Sequence, residues 1–265
     1  GVHGQRHGAA AGMGPVISWN ITRTCNLKCV HCYSDSDSKN YDGELTTAEA
    51  KKFIDDCADF KVPVLLMSGG EPLIRPDVFE LVEHANKRGI RATFSTNGTM
   101  IDKQMAKDIK ALNVGYVGIS LDGLGEANDK FRGKSGAFDR ALQGIRNCLD
   151  VGQRVGLRFT INRYNFHDLE DIFTLIKEEQ IPRVCFYHLV YSGRASQMMQ
   201  HDVSHAESRE AMDLIIRKAE EFKDKCEILT VDNHADIVYL YLQYLKKDPV
   251  RAEKIWELMM RNGGN

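Results

Sequence analysis

Residues 16–33, VISWNITRTCNLKCVHCY, decide how this chain is interpreted, because a short apolar run leads directly into three closely spaced cysteines. The run at 16–21 has the length and apolar character of a strand. The loop that follows carries Cys25, Cys29 and Cys32. Three thiolates on one loop can bind three irons of a four-iron cluster and leave the fourth iron open, and an open coordination position is typical of a catalytic metal site.

The three cysteines could also serve purposes unrelated to a cluster. Cysteines at this spacing fall on one stripe of a helix and could be core thiols, but the polar neighbours Asn26, Lys28 and His31 argue against a buried stripe. A zinc site needs four ligands and usually has cysteine pairs two residues apart, and His31 could complete such a set. Disulfide bonds would leave one of the three cysteines unpaired. We therefore prefer the cluster, with zinc as the alternative.

The composition excludes several classes of function. The 265 residues are 43% hydrophobic and 27% charged, as expected for a soluble protein with one substantial core. A net charge of −2 gives no reason to expect a nucleic acid partner. No apolar run approaches the roughly 20 residues that span a bilayer, so we expect no membrane partner. Seven cysteines, an odd number with three of them clustered, favour a cytoplasmic location.

Short apolar runs alternate with amphipathic helical patterns along most of the chain. We predict strands at 16–21, 62–67, 90–95, 116–121, 155–161 and 184–190, with helices between them. Strands that alternate with helices indicate a parallel sheet. Because six units fall short of the eight in a closed barrel, the predicted fold is α/β, a partial (β/α)6 TIM-type barrel.

Capping signals place two of the helices. Thr46 with Glu49, and Ser204 with Glu207, have the spacing of a capping box, so we expect helices to begin at both positions. The second of these helices lies beyond the last predicted strand. We therefore divide the chain into a flexible arm at 1–14, the barrel core at 15–200 and a helical C-terminal extension at 201–265.

Polar residues gather where the predicted strands end. In parallel α/β folds, binding and catalytic groups lie at the carboxyl ends of the strands. The residues found at these ends are Gly69, Gly70 and Glu71 after the second strand, Ser95 and Asn97 after the third, Ser120 and Asp122 after the fourth, Asn162 and Arg163 after the fifth, and His188 and Tyr191 at the sixth.

Each of these groups suits a small charged cofactor lying across the strand ends. Two successive glycines let a ligand approach the backbone, although an ordinary tight turn is the alternative. Glu71 could accept hydrogen bonds from an ammonium group, and Arg158 could pair with a carboxylate through two hydrogen bonds. Turn chemistry or capping is the alternative for the two serines. The groups suited to ribose hydroxyls are those of Ser95, Asn97, Ser120 and Asp122.

Together these motifs resemble those of radical S-adenosylmethionine enzymes. The spacing of the three cysteines matches the family signature, and GGEP at 69–72 resembles its second motif. STNG at 95–98 and SLDG at 120–123 resemble segments of the branch that carries an additional cysteine-rich C-terminal region. The resemblance covers about residues 15–190.

The resemblance implies a radical mechanism and its cofactors, a 4Fe–4S cluster and S-adenosylmethionine. In this family the open iron binds the amino and carboxylate groups of S-adenosylmethionine, and an electron from the cluster releases a 5′-deoxyadenosyl radical that abstracts hydrogen from the substrate. The electron comes from an external donor, a reductase or a ferredoxin or flavodoxin type of protein. By motif, Cys25, Cys29 and Cys32 would ligate the cluster, Gly69, Gly70 and Glu71 would contact the methionine moiety, and Ser95, Asn97, Ser120 and Asp122 would contact the ribose or the methionine end.

Three further stretches suggest a substrate class. PVISWN at 15–20, CFYHLVYSGR at 185–194 and MRNGGN at 260–265 resemble enzymes that trim side chains from siroheme-derived tetrapyrroles, a group that includes 12,18-didecarboxysiroheme deacetylase and its heme d1 relatives. Such substrates carry several carboxylates, so basic residues are expected around them. A solvated or salt-bridged surface position is the alternative for each arginine. The candidates are Arg132, Arg158, Arg163, Arg194 and His188.

The resemblance has one departure, and rival functions remain open. Enzymes of this branch continue past the NGGN stretch into a region whose cysteines bind an auxiliary cluster, which we expect to be missing here. The other cysteines, Cys57, Cys148, Cys185 and Cys226, are scattered within helix and strand patterns, so we predict one cluster. The rivals are a peptide-modifying maturase of the same superfamily and a non-catalytic metal-binding module. A maturase often carries a peptide-binding domain ahead of the barrel, for which residues 1–14 are too short.

Overall fold

The computed structural model describes residues 13–231 and 233–261, with no side-chain description for Arg261. The flexible arm predicted at 1–14 therefore lies almost entirely outside the described residues, as does the NGGN stretch at 262–265. The predicted segment boundaries near residues 15 and 200 remain predictions.

Seven strands form one parallel sheet in the order in which they occur along the chain. A sequential order is that of a (β/α) barrel, whereas a doubly wound sheet reverses direction at a switch point. The predicted α/β partial barrel is therefore confirmed, with β1 and β7 at the two edges of the sheet. The strands are β1 (Ile17–Thr22), β2 (Val64–Gly69), β3 (Arg91–Thr96), β4 (Val117–Ser120), β5 (Val155–Thr160), β6 (Arg183–Tyr187) and β7 (Glu227–Val231).

The seventh strand was not predicted, and it corrects the picture of 201–265 as a purely helical extension. β7 pairs in parallel with β6 along its whole length, from the Arg183–Glu227 pair to the Tyr187–Val231 pair. All but one of its five residues are half-buried and none is fully buried. An edge strand of this kind lacks the alternation of buried and exposed positions from which strands are predicted.

The helices lie between and beyond the strands. The capping boxes predicted at Thr46 and at Ser204 are both present, each with its glutamate returning a bond to the capping residue. The short helix α4 was not predicted. The helices are α1 (Thr47–Asp59), α2 (Val78–Lys87), α3 (Lys103–Ala111), α4 (Gly125–Arg132), α5 (Ala137–Asp150), α6 (Leu169–Glu178), α7 (His205–Glu221), α8 (Ala235–Lys247) and α9 (Pro249–Arg261).

The alternation of side chains along each strand separates the core from the site. Fully buried apolar residues of the strands belong to the core that includes the helices, among them Met67, Phe94, Ile119 and Phe159. The next residue along each strand points to the opposite face. Those residues are small and hydroxylated, and all four line one cavity at the carboxyl ends: Ser68, Ser95, Ser120 and Thr160.

Within residues 13–231 and 233–261, none of the helices combines the length and the apolar character that crossing a membrane would require.

Candidate active site

A cavity of about 190 Å³ lies at the carboxyl ends of the strands, and we call it the cysteine pocket because Cys25, Cys29 and Cys32 all line it. The structure thus brings the three cysteines together with the residues that follow the other strands. Of the predicted site residues, those that also line it are Gly69, Gly70, Ser95, Asn97, Ser120, Arg132, Arg158, His188 and Arg194. Glu71, Asp122 and Arg163 do not.

The cysteine loop is held by backbone hydrogen bonds to segments on both sides of it. Cys25 N–H donates to the Asp37 carbonyl at 3.0 Å, which closes the loop on itself. Lys28 N–H and Val30 N–H donate to the carbonyls at the end of α4, at 3.3 and 3.0 Å. The last turn of α4, a helix that was not predicted, therefore supports the loop that carries the thiols.

Each of the three sulfurs accepts a hydrogen bond from an N–H group. Leu27 N–H lies 3.4 Å from Cys25 Sγ, and Ser36 N–H lies 3.4 Å from Cys32 Sγ. Cys29 Sγ is 3.7 Å from Nη1 of Arg132. Donors aimed at sulfur stabilise thiolates, and hydrogen bonds to the sulfurs tune iron–sulfur clusters. The donor set therefore fits thiolate ligands of a cluster.

The three thiols are not equivalent as acids. Burial raises the pKa of Cys25 to about 12 and raises that of Cys29 as well. Burial would also raise the pKa of Cys32, but hydrogen bonds from Ser34 and Ser36 outweigh it and lower that pKa. Because only thiolates ligate metal, loading this loop must release protons, most of all from Cys25 and Cys29.

The fit to a cluster rests on the convergence of the thiols and their donors rather than on a preformed cage for one ion. In the part of the chain that the structure describes, no three or more His, Cys, Asp or Glu side chains are grouped to hold a single metal ion. The other cysteines, Cys57, Cys148, Cys185 and Cys226, are free thiols and do not line the pocket.

The glycine pair is required by the backbone of the neighbouring strand. A Cβ on Gly69 would lie 2.1 Å from the Thr22 carbonyl oxygen, and one on Gly70 would lie 2.3 Å from that of Thr24. Gly70 N–H and Glu71 N–H donate to these same two carbonyls. The glycines therefore allow β2 to pack against the residues just before Cys25. Both glycines line the pocket, but the Gly70 N–H already donates to the Thr22 carbonyl.

Glu71 is fully buried and organises the end of β3. It accepts hydrogen bonds from the Thr96 hydroxyl at 2.6 Å, from Asn97 N–H at 2.7 Å and from Leu73 N–H at 3.1 Å. Burial raises its pKa. The contacts of Glu71 favour a role in positioning Asn97, and the expected bond to a ligand's ammonium group stays a prediction.

Asn97 links β3 to the cysteine loop, whereas two serine hydroxyls remain available. The Asn97 amide donates to Asn26 Oδ1 at 2.7 Å and lies 3.9 Å from Cys25 Sγ. Ser95 and Ser120 line the pocket, and no side-chain hydrogen bond among the described residues uses their hydroxyls. These two hydroxyls are therefore positioned to bind a ligand.

Asp122 lies behind the pocket and connects it to the cysteine loop. Its side chain is fully buried, forms an ion pair with Arg132 and accepts from Thr160 N–H at 2.9 Å. The Nε2 atom of His31 is 3.3 Å from its Oδ2. Burial lowers the pKa of His31 to about 4, so this imidazole is neutral at pH 7. Asp122 does not line the pocket, so the ribose contact expected of it stays a prediction.

Arg194 lines the pocket and also holds the cysteine loop. Its guanidinium donates to the carbonyls of Cys29 and Ser36, both at 2.8 Å, and to Asp35 at 2.8 Å. These three bonds make it a clamp on the cysteine loop. Its Nη2 atom has no hydrogen-bond partner among the described residues, and the expected contact with substrate stays a prediction. No feature of the local sequence indicates this, since Arg194 and Cys29 are 165 residues apart.

The other predicted basic residues differ in their surroundings. Arg163 lies at the surface, 3.5 Å from Glu207, outside the pocket. Arg132 is buried between Asp122 and Cys29. Arg158 lines the pocket with its guanidinium 4.3 Å from the centre of the Tyr187 ring. Arg158 and His188 are therefore the two predicted cations placed toward the pocket without holding the cysteine loop.

Sequence reasoning overlooked several residues of the site. Thr96 and Tyr187 sit next to predicted positions at strand ends, so the strand-end rule could have found them. Tyr33, which lines the pocket and bonds Asn20 at 2.9 Å, directly follows the last cysteine. Leu27, Leu189 and Val190 give the pocket an apolar part of its wall.

Comparison with known proteins agrees with this geometry. The family model described as the radical SAM superfamily matches residues 19–176. The chain is 54% identical over 254 residues to Fe-coproporphyrin III synthase of Methanosarcina barkeri, covering 95% of this chain and 64% of that protein. It is 44% identical over 236 residues to pre-heme d1 synthase of Dinoroseobacter shibae, covering 88% of this chain and 58% of that protein.

The fold also matches a solved structure. SuiB of Streptococcus suis, bound to its precursor peptide SuiA, superposes with a TM-score of 0.73 at 17% identity, covering 87% of this chain and 52% of that one. At this identity the likeness concerns the fold alone. The chain spans about three fifths of the length of the two curated relatives it matches.

Proposed function

This chain belongs to the radical SAM superfamily, and from that premise we propose that it removes carboxylate side chains, as acetate groups, from a siroheme-derived tetrapyrrole in heme or heme d1 biosynthesis. The enzyme class and the cofactors, a 4Fe–4S cluster and S-adenosylmethionine, come with the superfamily. The substrate and the reaction are our proposal. The observation that carries it is the 54% identity over 95% of the chain to a protein named for an iron coproporphyrin.

The residues of the cysteine pocket fit the family's cofactors. Cys25, Cys29 and Cys32 would hold the cluster, since all three sulfurs meet in one cavity and accept N–H hydrogen bonds. When bound, the cluster and S-adenosylmethionine supply an electron and a 5′-deoxyadenosyl radical that takes a hydrogen atom from the substrate. The chain's own task is to orient the substrate beside these thiols and to keep water away.

The hydroxyls of Ser95 and Ser120 are the groups we assign to the ribose. Both line the pocket at the ends of neighbouring strands, and hydroxyls both donate and accept, as a vicinal diol requires. Gly69 and Gly70 would admit the methionine end close to the backbone. Glu71 and Asp122, both buried, would act indirectly by holding Asn97, Arg132 and the ends of β3 and β5.

The pocket has the mixed character that a tetrapyrrole with acidic side chains needs. Leu27, Leu189 and Val190 offer apolar surface for a macrocycle. Arg158 offers a guanidinium and His188 an imidazole for carboxylates, and a guanidinium binds a carboxylate through two parallel bonds. Arg194 and Arg132 would contribute through the loop they hold. An external reductase, or a ferredoxin or flavodoxin type of protein, would deliver the electron.

The test is to offer the substrate class directly. The chain is reconstituted with iron and sulfide under anaerobic conditions, then given S-adenosylmethionine, dithionite and 12,18-didecarboxysiroheme. We expect 5′-deoxyadenosine together with a tetrapyrrole whose mass has fallen by its acetate groups, read by liquid chromatography and mass spectrometry. An Arg158→Gln variant should form less of that product because it loses a carboxylate partner.

The rival functions give different results in the same experiment. If 5′-deoxyadenosine accumulates while the tetrapyrrole stays unchanged, the substrate proposal is wrong, and a peptide-modifying maturase becomes the preferred interpretation. If a fully loaded cluster yields no 5′-deoxyadenosine at all, the chain as given works as a metal-binding module.

A further inference from the structure

His188 directly follows the last residue of β6 and lines the cysteine pocket. Only 15% of its side chain is exposed. A histidine at the carboxyl end of a barrel strand, lining the cavity, is placed to touch whatever lies above the thiols. What it can do there depends on which of its ring nitrogens carries a proton and on what fixes the ring.

The ring of His188 is fixed by a buried carboxylate from the C-terminal segment. Its Nε2 lies 2.9 Å from Oδ2 of Asp236, a residue in the first turn of α8 whose side chain is 5% exposed. The second oxygen of Asp236 accepts from the Asn233 amide at 3.0 Å. The oxygen of that same amide group accepts from Ala235 N–H at 3.0 Å, so the start of α8 holds the carboxylate firmly.

The partner of Nε2 decides the tautomer. An ionised carboxylate only accepts hydrogen bonds, so Nε2 must carry the proton in this pair. The other ring nitrogen, Nδ1, has no hydrogen-bond partner among residues 13–231 and 233–261. Nδ1 is therefore left for a ligand, as an acceptor when the ring is neutral and as a donor when it is protonated.

We propose that His188 and Asp236 form a dyad that anchors an acidic side chain of the substrate beside the cysteine loop. His188 contacts the substrate through Nδ1, and Asp236 is a positioning residue that holds the ring through Nε2. This rests on the proposed function for the class of substrate, a tetrapyrrole carrying carboxylates. Through Asp236, the segment after β7 takes part in the active site, although Asp236 itself does not line the cysteine pocket.

A purely structural role for the pair has to be separated from this one. A carboxylate–histidine pair can simply tie α8 to the end of β6. The chain offers a matched example, because His84 Nε2 lies 2.9 Å from Asp55 Oδ1 between α2 and α1, away from the pocket. The Asp236 side chain is 5% exposed, whereas that of Asp55 is 42% exposed and also pairs with Arg88, so Asp236→Asn should cost more stability than Asp55→Asn. Only the dyad should affect how the substrate is held.

The test compares Asp236→Asn with Asp55→Asn in the anaerobically reconstituted chain. We measure the KM for didecarboxysiroheme and the ratio of tetrapyrrole product to 5′-deoxyadenosine, after matching the variants for iron content and circular dichroism. Losing a charge-assisted bond predicts that Asp236→Asn raises the KM about tenfold or more and lowers the ratio. Asp55→Asn should match the wild type in both. A KM and a ratio for Asp236→Asn that equal those of the wild type would overturn the dyad.

A second readout does not depend on the substrate. In protein labelled with ¹⁵N-histidine, the wild type should show a proton on Nε2 of His188, whether or not Nδ1 is also protonated, with the signal identified by its absence from His188→Gln. Asp236→Asn should alter that signal, whereas Asp55→Asn should leave it in place. If the wild type fails on every tetrapyrrole but shows the proton on Nε2, the proposed function is wrong, while the pairing of His188 with Asp236 holds. A proton on Nδ1 alone in the wild type would refute the dyad whatever the substrate.

Discussion

The ends of β1–β4 and the region around β6 and α8 both supply side chains to the cysteine pocket, but they hold them differently. At β1–β4, each functional group lies within a few residues of the strand that positions it, as Gly70 does after β2. Around β6 and α8 the groups depend on distant partners, such as Asp236 for His188 and the cysteine loop for Arg194. In the first region each group follows the strand that positions it, although the cysteine loop is also held by α4 and Arg194. In the second region the groups depend on long-range pairing.

This difference matters for how the enzyme is built. The locally encoded half carries the thiols and the residues that resemble the superfamily's shared motifs. We assign the substrate to Arg158, which lies on β5 between the two regions, and to His188, which directly follows β6. Cofactor chemistry is thus placed at the ends of the early strands and substrate recognition at the later ones, although the cysteine loop is itself held by α4 and Arg194.

The largest loss of stability is expected at the glycine pair, where β2 packs against the residues before Cys25. In Gly70→Ala the added Cβ would lie 2.3 Å from the Thr24 carbonyl oxygen and 2.5 Å from that of Arg23. Backbone cannot move aside cheaply, so we expect the free energy of unfolding to fall by about 3 kcal/mol, at the upper end of overpacking costs. Urea denaturation of the chain measures it.

Gly43→Ala is the matched control for Gly70. Gly43 has a φ of +80°, but a methyl group added there would meet nothing within 4 Å. The free energy of unfolding of Gly43→Ala should fall by only about 1 kcal/mol, which is the cost of a left-handed backbone for a residue with a Cβ. Equal losses for the two variants would show that the glycine pair is not needed for the contact between β2 and the residues before Cys25.

The next largest effect tests the long-range half. Arg194→Gln removes a charged donor from two carbonyls and a carboxylate, so we expect the unfolding free energy to fall by about 2 kcal/mol. Because those bonds hold the cysteine loop, iron uptake on reconstitution should fall as well. Arg163→Gln, at the surface, should stay within about 0.5 kcal/mol of the wild type. Full iron loading in Arg194→Gln would argue against the clamp.

The smallest effect is expected outside both regions. Arg146 on α5 pairs with Glu179 after α6, and its hydrogen bonds hold the pKa of Glu179 below the usual range. A lowered carboxyl pKa stabilises the fold above about pH 4.3, and that stability is lost as the pH falls through the lower value. Arg146→Gln should therefore cost about 0.5–1 kcal/mol at pH 7 and almost nothing at about pH 2. A cost that is independent of pH would rule out the ion pair as its source.

The parts of the fold that the sequence predicts well are those with a local physical signal. The capping boxes at Thr46 and Ser204 and the first six strands are confirmed because capping geometry and apolar runs act within a few residues. β7 was not predicted because a half-buried edge strand has no alternation of buried and exposed residues. α4 was not predicted because it is short and mostly polar. The hydrogen bonds that join its last turn to the cysteine loop are long-range and leave no local signal in the sequence.

The residues of the site also divide into those with a local signal in the sequence and those that depend on distant partners. The three cysteines, the glycine pair, Ser95, Asn97 and Ser120 were found from spacing and strand ends, and the structure gathers them in one pocket. Arg194 was assigned to the substrate because its charge is visible in the sequence and its partners are not. Asp236 had no signal, because only the pairing of β6 with β7 brings α8 to His188.

One measurement tests the central claim, that the three converging thiols form a radical-generating cluster site. The reconstituted chain is given dithionite and S-adenosylmethionine, and 5′-deoxyadenosine is quantified beside iron content for the wild type, Cys29→Ala and Cys226→Ala. We predict 5′-deoxyadenosine from the wild type and from Cys226→Ala, whose thiol lies outside the pocket, and none from Cys29→Ala. Undiminished 5′-deoxyadenosine from Cys29→Ala, or none from a fully loaded wild type, would contradict this claim.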